Sequence, residues 1–88
     1  MAAVVLTIDI DNSTTNVGLF NQNGKLCFRS GLTTSRNPTR DQCAISLMNL
    51  FTLYHADLKE VSGAVISSVV PSVTAHMSGA VELLTGKA

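Results

Sequence analysis

The sequence predicts an α/β fold whose elements run β-β-β-α-β-α around a mixed sheet. Three observations carry that reading. A β-branched run with little polar interruption, Val4 to Ile10, opens the chain. An Asn-Gly pair at Asn23-Gly24 separates two further apolar stretches, so the first three strands should form an antiparallel meander. A helix-like segment then leads to a fourth apolar run, Ala64 to Val70. Strand–helix–strand connections cross over right-handed, which places that run parallel to a strand of the meander.

Each element has its own signal. Val4 to Ile10 is apolar enough to predict a central strand covered on both faces. Val17 to Phe20 makes the second strand, and Asn21-Gln22-Asn23-Gly24 the reversal after it. Leu26 and Phe28 alternate with Cys27 and Arg29, as in a third strand with one wetter face. A polar loop, Thr33 to Pro38, follows. Thr39 and Gln42 are spaced as a capping box, with Asp41 well placed at a helix N-terminus. Ala44, Leu47, Met48, Phe51 and Tyr54 recur at helical spacing, and the helix should end near His55. Pro71 stops the fourth strand. Val73, Met77, Ala80, Val81 and Leu84 form a second stripe, which Gly86 should cap.

Composition narrows the function. Eighty-eight residues make one small domain, which buries only about 60–65% of its unfolded surface. With 45% hydrophobic and 14% charged residues, the chain is apolar for its length, and part of its surface should be covered by more chain or a partner. Zero net charge gives no electrostatic footprint for nucleic acid or an anionic membrane. The apolar start, Met1 to Leu6, has no basic flank and Asp9 interrupts it, so neither a signal peptide nor a membrane span is expected. Cys27 and Cys43 have no metal-ligand spacing and read as buried, reduced thiols, which suits a cytoplasmic protein.

The chemistry concentrates in one stretch, Thr7 to Phe20, TIDIDNSTTNVGLF. Phosphate binding calls for backbone N–H groups, small hydroxyl and amide side chains, and a carboxylate that holds Mg²⁺ through its waters. Asn12, Ser13, Thr14 and Thr15 supply the small polar groups, and Asp9 the carboxylate. The same residue types also fill ordinary turns, because they satisfy local backbone groups. The residues alone leave both readings open. If the fourth strand lies beside the first, Ser67 and Ser68 come to rest next to this stretch and could line the same crevice.

The ordered set of motifs resembles the type III pantothenate kinases of the actin-like ATPase and sugar-kinase superfamily. The family's D-x-G-N-[ST] appears here as Asp9-Ile10-Asp11-Asn12-Ser13, and its G-[VLI]-F as Gly18-Leu19-Phe20. Its T-x-[DN]-R-like loop appears as Thr34-Ser35-Arg36-Asn37, and its S-S-V-V-P as Ser67-Ser68-Val69-Val70-Pro71. The resemblance implies a ribonuclease H-like, actin-like ATPase half-domain and ATP-dependent phosphorylation of pantothenate, the first step towards coenzyme A. It implies Mg²⁺ held through water by Asp9, with Asp11, Asn12, Ser13, Thr14 and Thr15 at the nucleotide phosphates. A monovalent cation, potassium or ammonium, and a homodimer in the full-length family are implied as well.

Two departures qualify this expectation. The family's glycine is Asp11 here, and a second negative charge about 4 Å from a phosphate costs up to roughly 4 kcal/mol at an effective dielectric of 20. The chain ends at Ala88, where the family's G-x-D-R segment, second phosphate motif and adenosine-binding elements would follow. Residues 1–88 therefore read as an incomplete N-terminal lobe, inactive alone, with catalytic residues expected beyond residue 88. The alternatives are a non-catalytic remnant or binding and regulatory module of the same fold, and another ATPase or sugar kinase of the superfamily. Arg36 and Arg40 read as solvated loop residues rather than phosphate ligands, His55 as a helix-end residue and His76 as a surface one.

Overall fold

A computed structural model describes residues 4–86 except residue 36, so Arg36 lies outside the described residues. Strands β1 (Val4–Ile10), β2 (Thr14–Phe20) and β3 (Leu26–Thr33) precede helix α1 (Arg40–Leu53). A 3-10 turn (Leu58–Glu60), strand β4 (Val61–Ser68) and helix α2 (Pro71–Thr85) follow. The sheet order is β3-β2-β1-β4, with β1 antiparallel to β2 and parallel to β4. This is the predicted mixed sheet, with the fourth strand parallel to a strand of the meander.

Both helices cover the same face of the sheet. Leu6, Ile8, Ile10, Val17 and Leu19 bury their side chains there against Leu47, Phe51, Val73, Met77 and Ala80. Along β1 burial alternates, and Val5 and Asp9 are exposed on the other face. The expectation of a strand covered on both faces is therefore corrected: among the described residues, only one side of β1 is roofed. Phe28 ties the edge strand β3 to α1, meeting Phe51 edge-on at 5.5 Å and stacking on Tyr54 at 4.8 Å. Met48 is exposed and Tyr54 partly so, its ring stacked on Phe28, whereas Cys43 and Leu50 are buried. The buried stripe is thus rotated slightly from the predicted one.

The helix ends follow local chemistry. Thr39 Oγ1 accepts the Gln42 N–H at 3.1 Å, and the Gln42 side chain accepts the Thr39 N–H at 3.3 Å. This is the predicted capping box. Thr39→Ala should cost about 1 kcal/mol, lowering Tm by about 4–8 °C in a domain of this size. Thermal unfolding followed by circular dichroism measures it.

At the other end the chain turns through His55, whose φ of 56° lies in the left-handed region. The His55 N–H bonds Thr52 O at 3.2 Å and the Ala56 N–H bonds Phe51 O at 2.8 Å, the paired bonds of a Schellman motif. Glycine is the usual residue at that position because a Cβ is strained there. His55→Gly should therefore stabilise the protein by about 0.5–1 kcal/mol, read as a higher urea midpoint with an unchanged slope. Gly24 (φ 76°) and Gly86 (φ 73°) occupy the same region where the sequence predicts a turn and a cap.

Candidate phosphate-binding site

The β1–β2 connection is shorter than the sequence suggests. Strand β2 begins at Thr14 rather than Val17, because Thr14 and Thr15 pair with Thr33 and Leu32 of β3. Only Asp11, Asn12 and Ser13 remain between the strands, and all three are exposed. The Asp11 N–H closes the turn on Thr14 O at 3.0 Å. The Ser13 carbonyl accepts the Thr34 N–H at 3.0 Å, and the Ile10 carbonyl accepts the Val69 N–H at 3.0 Å. The turn is thereby pinned to the end of β3 and to the lead-in of α2.

Parallel pairing sets Asp9 beside Ser67 and Ile10 beside Ser68, so the carboxyl ends of β1 and β4 meet at this turn. Antiparallel pairing sets Asp9 beside Asn16 on its other side. Strand alternation then sorts the site residues between two faces. Asp9, Thr14, Asn16 and Ser67 share the open face. Thr15 and Ser68 belong to the helix-covered one. Thr15 is buried, and its hydroxyl pairs with that of Thr34 at 2.8 Å. Ser68 Oγ accepts the Val70 N–H at 3.0 Å and donates to Val70 O at 3.1 Å, a local turn that leads into Pro71 at the start of α2. Strand β4 accordingly covers Val61–Ser68 rather than Ala64–Val70.

The open face forms a groove of about 360 Å³ whose walls include Thr7, Asp9, Asn16, Phe20 and Arg29. Its floor is Gly18, where a Cβ would come within 2.8 Å of Thr7 Oγ1. Asn16 and Arg29 were not singled out in the sequence. The signal that finds them is the alternation of two that places Asn16 next to Thr14 on one face, combined with the register that sets Arg29 opposite Gly18.

Other residues fall away from the site. The Arg40 stem lies on Gly79 of α2, 3.2 Å from an ideal Cβ there, and its Nε meets Asp41 Oδ1 at 3.3 Å. His76 is exposed, as expected. Cys43 is buried, and burial raises its thiol pKa above the ordinary value while its own backbone hydrogen bond offsets part of the rise. Cys27 is exposed on the edge strand, which corrects the expectation of burial. No helix of the described residues is long and apolar enough to cross a membrane.

The mixed sheet and the β-β-β-α-β-α order are those expected of an actin-like ATPase lobe. A family model described as type III pantothenate kinase matches residues 5–86, and the chain belongs to that family. A type III pantothenate kinase of Roseiflexus sp. (strain RS-1) is 38% identical over 71 residues, which cover 81% of this chain and 28% of that protein. One from Desulfosudis oleivorans is 41% identical over 70 residues, 80% of this chain and 27% of that protein. One from Shouchella clausii is 33% identical over 70 residues, with the same coverage of 80% and 27%. The chain thus spans little more than a quarter of the length of the curated relatives it matches.

Proposed function

We propose that this chain is the N-terminal, phosphate-binding lobe of an ATP-dependent pantothenate kinase, and that the Asp11–Thr14 turn with Asp9 receives the nucleotide phosphates. The observation that carries the reading is the meeting of the carboxyl ends of β1 and β4 at the Asp9–Ser67 pair, with a small polar turn directly above it. Open α/β sheets bind ligands at such strand ends. Family membership supports ATP and pantothenate as substrates.

The residues fit magnesium in one specific manner. Among the described residues no three acidic, His or Cys side chains converge as a metal cage. Mg²⁺ bound to nucleotide keeps most of its waters and needs only one or two carboxylates. Asp9 is exposed at the groove and can supply one. Mg²⁺ would neutralise charge on the transferring phosphoryl group, as phosphoryl transfer requires. Asp9 would orient its waters, and Asn12, Ser13 and Thr14 would offer N–H and hydroxyl donors to phosphate oxygens. The Thr34 and Val69 N–H groups hold the turn through the Ser13 and Ile10 carbonyls. A monovalent cation and a homodimer are proposed on family membership alone.

Asp11 is the residue that favours a second reading, a binding module of the same fold without catalysis. Its backbone does not need glycine, because among the described residues His55 is the only non-glycine with positive φ. What remains is its charge. Asp11→Gly should leave Mg·ATP affinity unchanged or raise it, as calorimetric titration would report.

The testing experiment joins residues 1–88 to the remaining three quarters of the Roseiflexus relative. The joined protein should phosphorylate pantothenate with ATP, while the 88-residue chain alone should not, because a cleft needs both walls to position the reactants. A joined protein that folds and binds Mg·ATP without turnover would favour the non-catalytic module. Turnover by the chain alone would contradict the reading of an incomplete lobe.

A further inference from the structure

The helix-covered face holds a second feature that phosphate binding does not use. A cavity of about 320 Å³ opens between the end of β3 and the first turns of α1 and α2, with Thr15, Thr34, Leu32, Cys43, Val73 and Met77 in its wall. None of the described residues that line it is charged. The capping box already occupies the Gln42 N–H at this end of α1, so that donor is not free for an anion. Among the described residues no cation lines the cavity to replace the hydration that an anion would lose on entering.

One polar spot interrupts the apolar wall. Thr15 is only 3% exposed, and its Oγ1 lies 2.8 Å from that of Thr34. Two hydroxyls hold two protons, and their mutual hydrogen bond consumes one. The second proton is left to donate to a third group, beside side chains of Leu32, Val73 and Met77 that suit only apolar surface. The volume is at the small end of ligand pockets, which run from about 300 to 1,000 Å³.

We infer that this cavity is a binding site for a small uncharged molecule, which presents a carbonyl or hydroxyl oxygen to the Thr15–Thr34 pair and an apolar flank to Leu32, Val73 and Met77. Thr15, which the sequence groups with the phosphate residues, belongs by register to this opposite face. The site is independent of the phosphate reading, since Asp9 lies across the sheet.

A matched pair of probes tests it: cyclohexanecarboxamide, neutral, and cyclohexanecarboxylate, the same ring with an anion. The chain labelled with nitrogen-15 is titrated with each and followed by its backbone amide resonances. The amide should shift Thr34, Cys43 and Val73 saturably, and the carboxylate should not. Thr15→Val keeps the shape but removes the hydroxyl and should weaken amide binding about five-fold, the value of one neutral hydrogen bond. Thr15→Ser should bind nearly as the parent does, and Asp9→Asn should bind equally well. Thr34→Val removes the other hydroxyl at a half-buried position and serves if Thr15→Val does not fold. Absence of saturable shifts, equal response to the carboxylate, or undiminished affinity in the folded valine variants would overturn the inference.

Discussion

In a protein completed with the C-terminal three quarters of a relative, Asp9→Asn should abolish Mg²⁺-dependent phosphorylation of pantothenate. The change is nearly isosteric and removes only the negative charge. Asp9 sits on the open face between Asn16 and Ser67, at the groove wall and one residue short of the strand's end. A carboxylate there can orient the waters of a nucleotide-bound cation, which an amide does far less well. Residues that act on a metal through its ligands typically contribute 10–100-fold, so a loss of at least ~100-fold is expected where the carboxylate also faces the transferring phosphate. The fold should be unaffected, because Asp9 is exposed and makes no contribution to the core. Initial rates at several Mg²⁺ concentrations separate the two effects. A rate that recovers at high Mg²⁺ would assign Asp9 to cation affinity alone.

Phe51→Ala should bring the largest loss of stability. Phe51 is buried in the last turn of α1, and its ring meets Phe28 edge-on at 5.5 Å with the planes at 86°. Truncating a buried aromatic costs about 3–5 kcal/mol, from lost transfer energy and the cavity left behind. At roughly 0.05–0.15 kcal/mol per residue, 88 residues hold about 4–13 kcal/mol in total. The variant should therefore be largely unfolded or unfold in dilute urea. Phe51→Leu keeps most of the volume and should retain a cooperative transition, with a smaller fall in midpoint. Equal midpoints for parent and Phe51→Ala would mean that α1 does not pack on the sheet as described.

Local signals made most of the fold legible. Thr39 and Gln42 stand three apart and form the capping box, Asn23-Gly24 turns where it should, and Gly86 caps α2. Handedness placed the fourth strand parallel to a strand of the meander, and the apolarity of Val4 to Ile10 pointed to the first. What could not be read locally was register. Thr14 and Thr15 have turn-like neighbours in Asn12 and Ser13, but β3 offers them ladder partners, so they extend β2. Strand β4 starts at Val61 rather than Ala64, because Val61 and Gly63 find ladder partners in Val4 and Val5. Val69 and Val70 are β-branched but leave the strand, because Ser68 Oγ engages Val70 and Pro71 begins a helix.

Register also decides the site. The sequence shows Asp9 and Thr15 as parts of one polar stretch, six residues apart. The sheet sends them to opposite faces, and it recruits Asn16, Ser67 and Arg29 to the side of Asp9. A shift of a single residue in pairing exchanges every side chain between faces, so no composition or motif count could have made that division. The charge at position 11 is legible from the sequence. The ordinary backbone torsion there is not.

On the proposed function, phosphate and its cation sit on the Asp9 face of the β1–β2 turn. Paramagnetic broadening tests it most directly. The joined protein would carry nitrogen-15 label only in residues 1–88, with Mn²⁺ replacing Mg²⁺ in the presence of ATP. The effect falls off steeply with distance from the ion. Broadening should centre on Asp9 and the Asp11–Thr14 turn, be weaker at Asn16 and Ser67, and be lost in Asp9→Asn. Broadening centred elsewhere, at Asp41 or Glu82 for example, or broadening at the turn that persists in Asp9→Asn, would contradict it.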